Sequence, residues 1–357
     1  MTFRQGTTTA VRLPAFETAP SAARPSTAAP SLAEIVPPFD AGGDAARYNV
    51  DSWAALRCYA AARLAQTSLP ARVVGKHAKL ANALKTIAPS DGPTRDQFLD
   101  AYPGMAGCVA LLDRCLESLP DILCGRVDAL AVMFPQGSFA LVEPIYRDNP
   151  IAGYFNQIVA DIVRSFADQR GSCPIRVLEI GAGTGSTTQF VLPALRGRKA
   201  LYTFSDVSLA FLNRARGRFA DYPFLTYEIF NVEKREPDEQ PYDVVIAANV
   251  MHATADLPAS LANARSRVAP GGIFVLDELT AGHHFLTLTF GLTEGWWLSR
   301  DAYRIANSPL ATGETWRSLL LGAGFKDTRQ HGASDHQVIV ASVDPAPLTA
   351  RLAAASA

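Results

Sequence analysis

The run Val177-Leu178-Glu179-Ile180-Gly181-Ala182-Gly183-Thr184-Gly185, followed by Ser186, Thr187 and Thr188, constrains this chain more than any other stretch. A short apolar segment opened by a β-branched residue reads as a buried strand, and three glycines at alternate positions read as a tight turn. The residues from there to Leu195 have helical character, so the unit is strand, glycine loop, helix. Glycine serves such a loop in two ways. It accepts positive φ, and without a Cβ it lets a ligand come close to the backbone. The N-terminus of the helix that follows can face the ligand's polar end.

The details of the loop narrow the ligand. A dinucleotide-binding G-x-G-x-x-G needs glycine at position 186, where this chain has Ser186. The spacing is G-x-G-x-G instead, with Glu179 just ahead of the first glycine. A carboxylate there would repel a pyrophosphate and would suit an ammonium or a sulfonium. The loop therefore points to S-adenosylmethionine (SAM) rather than to NAD or ATP. Glu179, Gly181, Gly183 and Gly185 become candidate cofactor-binding residues.

Beyond the loop, strand-like and helix-like segments alternate, which predicts a parallel sheet with helices on both faces. Strands are expected at 176–180, 201–205, 225–230, 243–247 and 273–276, with two more near 325–329 and 337–343. Seven strands is the count of a class I methyltransferase core, so the expected fold is α/β, a seven-stranded doubly wound sheet with an N-terminal helical lid subdomain. In open sheets of this kind the ligand lies past the carboxyl ends of the strands. Asp206 ends the second strand, placed for the ribose hydroxyls of an adenosine or for capping the next helix. Asn231 and Val232 follow the third strand, where they would flank an adenine. The fourth strand leads into Asn249-Val250-Met251-His252, with Asn249 facing the methionine part of the cofactor and His252 just past the strand tip. Histidine is the side chain best suited to take a proton near neutral pH. The fifth strand, after Pro270-Gly271-Gly272, carries Asp277 and Glu278 at its tip, next to the fourth. A carboxylate beside an imidazole fixes its tautomer and raises its basicity, so a His252–Glu278 pair is expected to act as a general base.

The chain divides by composition. Residues 1–45 are rich in Ala, Pro, Ser and Thr and predict a disordered tail, because such a segment buries too little apolar surface to offset its ordering entropy. Residues 46–165 predict a helical lid or substrate subdomain. Its first helix carries Trp53, Leu56, Ala60 and Leu64, capped by Asp51 or Ser52. His77, between Lys76 and Lys79, is expected to be a solvated helix residue. Aromatics interleaved with turn residues, as in Phe134 to Phe139 and Tyr146 to Asn156, suit a lid across the cofactor mouth. Residues 166–345 form the expected SAM-binding Rossmann-like core, and 346–357 a second tail.

Global features exclude several classes. The 357 residues are 48% hydrophobic and 19% charged with a formal net charge of -1, a soluble globular composition without the basic face of a nucleic-acid binder. No apolar run is long enough to span a bilayer, and the start lacks the apolar core of a secretory signal. The five cysteines are odd in number and lack C-x-x-C spacing, so neither a disulfide framework nor a zinc site is indicated, and a cytoplasmic setting is expected.

Several of these stretches resemble the C-methyltransferase domains of polyketide synthases. They are Phe134 to Phe139, Tyr146 to Asn156, Leu178 to Thr188, Tyr202 to Leu212, Tyr222 to Leu225, Ala247 to Thr254 and the string Gly291-Leu292-Thr293-Glu294-Gly295-Trp296-Trp297. The resemblance runs from about residue 50 to residue 330. It implies a helical lid over a class I core, SAM as cofactor, and a β-ketoacyl chain held by an acyl carrier protein as the substrate methylated at its α-carbon. The family's His–Glu dyad falls on His252 and Glu278, and its lid tyrosines on Tyr146 and Tyr154. Two departures stand out. Asn231 replaces an acid in the turn after the third strand, and the segment Ala281-Gly282-His283-His284-Phe285 lacks a tryptophan. Family members are normally embedded in multidomain chains, so an excised domain or an enzyme acting in trans is expected. The rival readings are an O- or N-methyltransferase on a small natural product and a SAM-binding scaffold without activity.

Overall fold

The computed structural model describes residues 31–235 and 241–344. The expected second tail and most of the first lie outside the described residues. Seven strands form one sheet: β1 (Ile175–Ile180), β2 (Ala200–Asp206), β3 (Leu225–Ile229), β4 (Tyr242–Ala248), β5 (Val268–Leu279), β6 (Asp327–His331) and β7 (His336–Ser342). Their order is β3-β2-β1-β4-β5-β7-β6. Val244, Val245 and Ile246 of β4 have no exposed surface, as a strand covered on both faces requires. β1 to β5 run parallel, and β7 is antiparallel to both β5 and β6.

That last pair departs from the all-parallel expectation. Only residues 332–335 separate β6 from β7, too few for a crossover, so the two form a hairpin. Pairing with β7 also lengthens β5. Asp277 and Glu278 lie opposite Val338 and Gln337 in the last stretch of pairing before the strand ends at Leu279. The sheet order reverses between β1 and β4, so the segments after these two strands diverge and open a crevice above them.

Helices precede, separate and cover the strands. The first eight are α1 (Leu32–Ile35), α2 (Asp44–Ala65), α3 (Ala78–Leu84), α4 (Arg95–Ala101), α5 (Ala106–Leu123), α6 (Ala129–Met133), α7 (Pro144–Arg147) and α8 (Pro150–Gln169). The others are α9 (Thr188–Leu195), α10 (Leu209–Arg218), α11 (Leu257–Ser266), α12 (His284–Leu288) and α13 (Gly313–Gly322). Helix α5 shows why the first group coheres. Val109, Leu112, Leu116, Leu119 and Leu123 recur at helical spacing and are all buried. Helix α8 starts at Pro150 with Asn149 as its cap, whose side chain accepts from Ile151 N at 2.9 Å. It packs along α9, the helix that follows the glycine loop.

One apolar core joins the helical region to the sheet, running from Trp53 and Leu112 through Phe166 to Val177, Tyr202 and Val275. A second fills the other face, with Val245, Phe274 and Ile339 under Leu261 of α11 and Trp316 of α13.

Three local expectations need correction. Helix α2 begins at Asp44 with Gly43 as its cap residue, so Asp51 and Ser52 are interior. Ser52 is buried there, and its hydroxyl donates back to the Asn49 carbonyl at 3.3 Å. His77 is buried rather than solvated, and burial lowers its pKa. The first tail does not extend to residue 45, because Leu32, Ile35 and Val36 are buried against α8 and the β6–β7 hairpin. Three apolar side chains at close spacing are enough to dock a segment whose average composition reads as disordered. Replacing Ile35 with alanine should therefore destabilise the fold by about 2–5 kcal/mol, read from the shift in a urea unfolding midpoint.

Candidate active site

The glycine loop leaves β1 through residues that only glycine tolerates. Gly181 has φ 60°, and a Cβ there would lie 2.3 Å from Val250 Cγ2. Gly183, at φ 53°, would meet only its own loop backbone, at 3.8 Å, so it leaves open space for a ligand. Strand β2 braces the loop. Ala182 N donates to the Ser205 carbonyl at 2.8 Å, Gly183 N to Asp206 Oδ2 at 3.0 Å, and the Ser205 hydroxyl to the Glu179 carbonyl at 2.7 Å.

Above the loop lies a cavity of about 220 Å³, lined by Glu179, Gly181, Gly183, Asn156 and Asn249 among others, with Phe134, Phe139 and Phe211 as an aromatic wall. Glu179 is buried and accepts hydroxyl bonds from Thr188 at 2.5 Å and Tyr202 at 2.6 Å. Burial nevertheless pushes its carboxyl up to about 7. Asn249, at φ 52°, donates its N–H to the Asp277 carbonyl at 2.7 Å. Its Oδ1 is buried with no hydrogen-bond partner among the described residues. A buried carboxyl and an unpaired amide oxygen fit a ligand that brings N–H donors and positive charge. The methionine end of SAM has that chemistry.

The other predicted cofactor residues fall elsewhere. Asp206 accepts from Gly183 N on Oδ2 and from Ser208 N at 2.8 Å on Oδ1, so it caps the next helix and holds the loop while each oxygen keeps a further lone pair. It braces the loop from behind. Gly185 supports the turn, where a Cβ would strike Phe219 at 2.6 Å. Asn231 Oδ1 closes its own turn on Glu233 N at 2.9 Å, and Val232 is buried in the second core.

A second cavity, of about 280 Å³, adjoins the first and is mostly apolar, walled by Trp53, Ile145, Phe285, Phe290, Trp296 and Leu310. Tyr146, Ala152, Asn249, Phe290 and His336 line both cavities and mark the seam between them. His252 lines the apolar chamber from the turn Met251–Ala253. Its Nδ1 stands 2.6 Å from Glu278 Oε2, and its backbone N donates to Glu278 Oε1 at 3.3 Å. Glu278 has no exposed surface, whereas the His252 side chain keeps 16%. An ionised Glu278 puts the proton on Nδ1 and leaves the Nε2 lone pair free.

The two predicted tyrosines part company. Tyr146 sits at the seam, where burial first and then the nearby Cys108 and Glu278 push its phenol up, so it stays a donor. Tyr154 lines neither cavity. Its hydroxyl is 2.7 Å from His331 Nε2, and His331 Nδ1 donates to the Pro37 carbonyl at 2.9 Å, which ties down the segment after α1. Tyr146 belongs to α7 and Tyr154 to α8, and the break at Asp148-Asn149 between the two helices sends the side chains to different places.

Sequence reasoning missed other residues. Ser186, noted only as a missing glycine, donates to the Tyr146 carbonyl at 2.6 Å and links the loop to the helical region. Thr187 donates to Asn156 Oδ1 at 2.7 Å. His336 Nε2 stands 2.7 Å from Asp277 Oδ1, under Phe155 stacked at 3.6 Å. The lone signal for that pair was Asp277 beside Glu278.

Comparison with known proteins shows which family has this fold. A methyltransferase domain family matches residues 178–274. Polyketide synthase ThaG of Burkholderia thailandensis is 43% identical over 250 residues, which are 67% of this chain and 4% of that protein. The solved DszA carbon methyltransferase superposes with a TM-score of 0.77 at 30% identity, covering 88% of this chain and 95% of that one. The chain belongs to the carbon methyltransferase domains of polyketide synthases. Trans-methyltransferase CalH, solved in complex with SAH, matches with a TM-score of 0.64 at 25% identity, covering 83% of this chain and 91% of that one. This domain is accordingly a SAM-dependent C-methyltransferase. It spans a small part of the long synthases it matches. Among the described residues no helix is long and apolar enough to cross a membrane.

Two predictions follow from the cofactor side. Asp206→Ala frees the Gly183 N–H and loosens the loop, so calorimetry should find S-adenosylhomocysteine bound at least tenfold more weakly, about 1.4 kcal/mol. A cationic ligand pulls the Glu179 carboxyl below about 7, so binding releases a proton. Affinity should rise with pH up to about 7 and level off above it, and Glu179→Gln should abolish that slope.

Proposed function

We propose that this domain methylates the α-carbon of a β-ketoacyl thioester presented by an acyl carrier protein, with His252 and Glu278 as its general base. The observation that carries the reading is a carboxylate-held imidazole lining an apolar chamber that shares a seam with the cofactor cavity. The α-carbon lies between two carbonyls, so its proton is acidic enough for a positioned imidazole to remove.

In this reading the acyl chain occupies the chamber between Trp53, Phe285 and Leu310. His252 Nε2 takes the α-proton. Glu278, fully buried and bonded to Nδ1, stabilises the imidazolium that forms. Tyr146, kept protonated by burial and lining both cavities, donates to the enolate oxygen in this reading. The cofactor supplies an electrophilic methyl on a sulfonium, which leaves as a thioether. Glu179 and Asn249 hold its amino-acid end, and the Gly181–Gly183 loop lets it approach. Holding the reacting carbon in register is worth about 7–11 kcal/mol of the barrier.

An apolar chamber and an imidazole base suit a carbon acid, and a carbonyl-flanked carbon is one that a neutral imidazole can deprotonate. His252→Ala should bind S-adenosylhomocysteine as the wild type does and lose about 10²–10⁴-fold in turnover. The assay is incubation with SAM and β-ketoacyl carrier thioesters, read by mass spectrometry and by NMR placement of the new methyl. Turnover near wild type in the variant removes His252 from the role. A methyl on oxygen or nitrogen refutes the substrate class.

A further inference from the structure

Arg304 lines neither cavity, yet all five of its N–H donors are committed beside the His252 turn. Its side chain is 6% exposed. Nη1 donates to the His252 carbonyl at 2.7 Å and to the Pro309 carbonyl at 2.5 Å. Nη2 donates to the Thr254 carbonyl at 2.7 Å and to Asp301 Oδ2 at 2.9 Å, and Nε to Asp301 Oδ1 at 2.9 Å. Asp301, itself 5% exposed, also accepts Leu257 N at 2.9 Å and Tyr303 N at 3.1 Å.

The geometry explains why an arginine is needed. A single 3-10 turn leaves its last carbonyls without partners inside the turn. Here the His252 carbonyl inside the turn and the Thr254 carbonyl just after it are the ones met from outside, and a buried carbonyl left unpaired is costly. One planar guanidinium meets both while its fork grips a carboxylate, and the same group reaches Pro309, which lines the chamber with Leu310. Lysine has three donors on a single point charge and cannot reproduce the set.

We propose that Arg304 is a positioning residue, which with Asp301 fixes the turn over Met251–Ala253 against the chamber wall so that His252 meets Glu278 on one side and the acyl chain on the other. This rests on the reading of His252 as the base. Glu278 holds the ring at Nδ1 and the turn only through the His252 N–H at 3.3 Å, which leaves the far side of the turn free to shift. Clamping the backbone carbonyls on either side of Ala253 removes that freedom, because the side chain can then move only through its own rotamers. Displacement of a reacting group by about 1 Å costs on the order of 100-fold in rate.

The test compares Arg304→Lys, Arg304→Ala and Asp301→Asn with wild type, using SAM and the acetoacetyl thioester of N-acetylcysteamine. Kd for S-adenosylhomocysteine should stay unchanged while kcat falls by about 100-fold in Arg304→Lys. Added guanidinium should restore part of the kcat of Arg304→Ala and none of that of His252→Ala. In the wild type the proton shared between His252 Nδ1 and Glu278 should give a downfield NMR resonance, shifted or lost in Arg304→Lys. If Arg304→Ala fails to fold, the lysine and asparagine variants carry the same readouts. A folded Arg304→Lys with wild-type kcat and an unmoved resonance overturns the proposal. An active His252→Ala overturns the base instead, and the resonance still reports whether Arg304 positions the ring.

Discussion

A carboxylate with no exposed surface must find its partners inside the protein, and Glu278 finds both of them in one residue. The imidazole of His252 and its backbone N–H meet the two oxygens, so the desolvation of the carboxylate is answered only when the turn after β4 sits against β5. The position of that turn is therefore tied to the register of two neighbouring strands, Ala248 opposite Asp277, which the sheet core enforces from both faces. Removing one partner would leave a buried charge or an unanswered ring. The chamber's shape depends on the same contact, because Ala253 and Pro309 belong to segments anchored through it and through Arg304.

The helical region is not a separate body resting on a finished core. Trp53, Leu112 and Phe166 share one apolar cluster with Val177, Tyr202 and Val275. Burying a sheet face under those helices creates the apolar chamber as a by-product, since its walls come from α2, α7, α12 and the segment around Trp296 as well as from β5. Hydrogen bonds add register to that packing. Ser186 reaches the Tyr146 carbonyl and Thr187 reaches Asn156, so the cofactor loop and the roof over it are held together by short polar links. The glycine loop is thereby attached to the element that carries the seam tyrosine.

Much of this was legible along the chain because the relevant physics is local. Seven strands were readable from alternation and turn residues, and the glycine loop from backbone permissiveness. Glu179, Gly181, Gly183, Asn249, His252 and Glu278 all stand at strand ends or just beside them, where an open sheet puts its ligands. Asp206 shows where that logic stops. An acid at a strand end can serve a ligand, a loop or both, and the bond from Gly183 N is a contact that the sequence does not announce. Tyr146 and Tyr154 are a second case, since a motif does not say which way a helix faces, and Tyr154 turns to His331.

By itself the sequence determined the class of fold, the loop chemistry and the residue types at the strand ends, because propensity, patterning and glycine geometry act over a few neighbouring positions. Only the tertiary structure decided which of those residues meet. The antiparallel β7, the docking of Leu32 to Val36, the burial of His77 and the five bonds of Arg304 join positions that no periodicity relates. Long-range contacts are set by how whole faces pack, and a buried polar atom takes whatever partner that packing brings within reach.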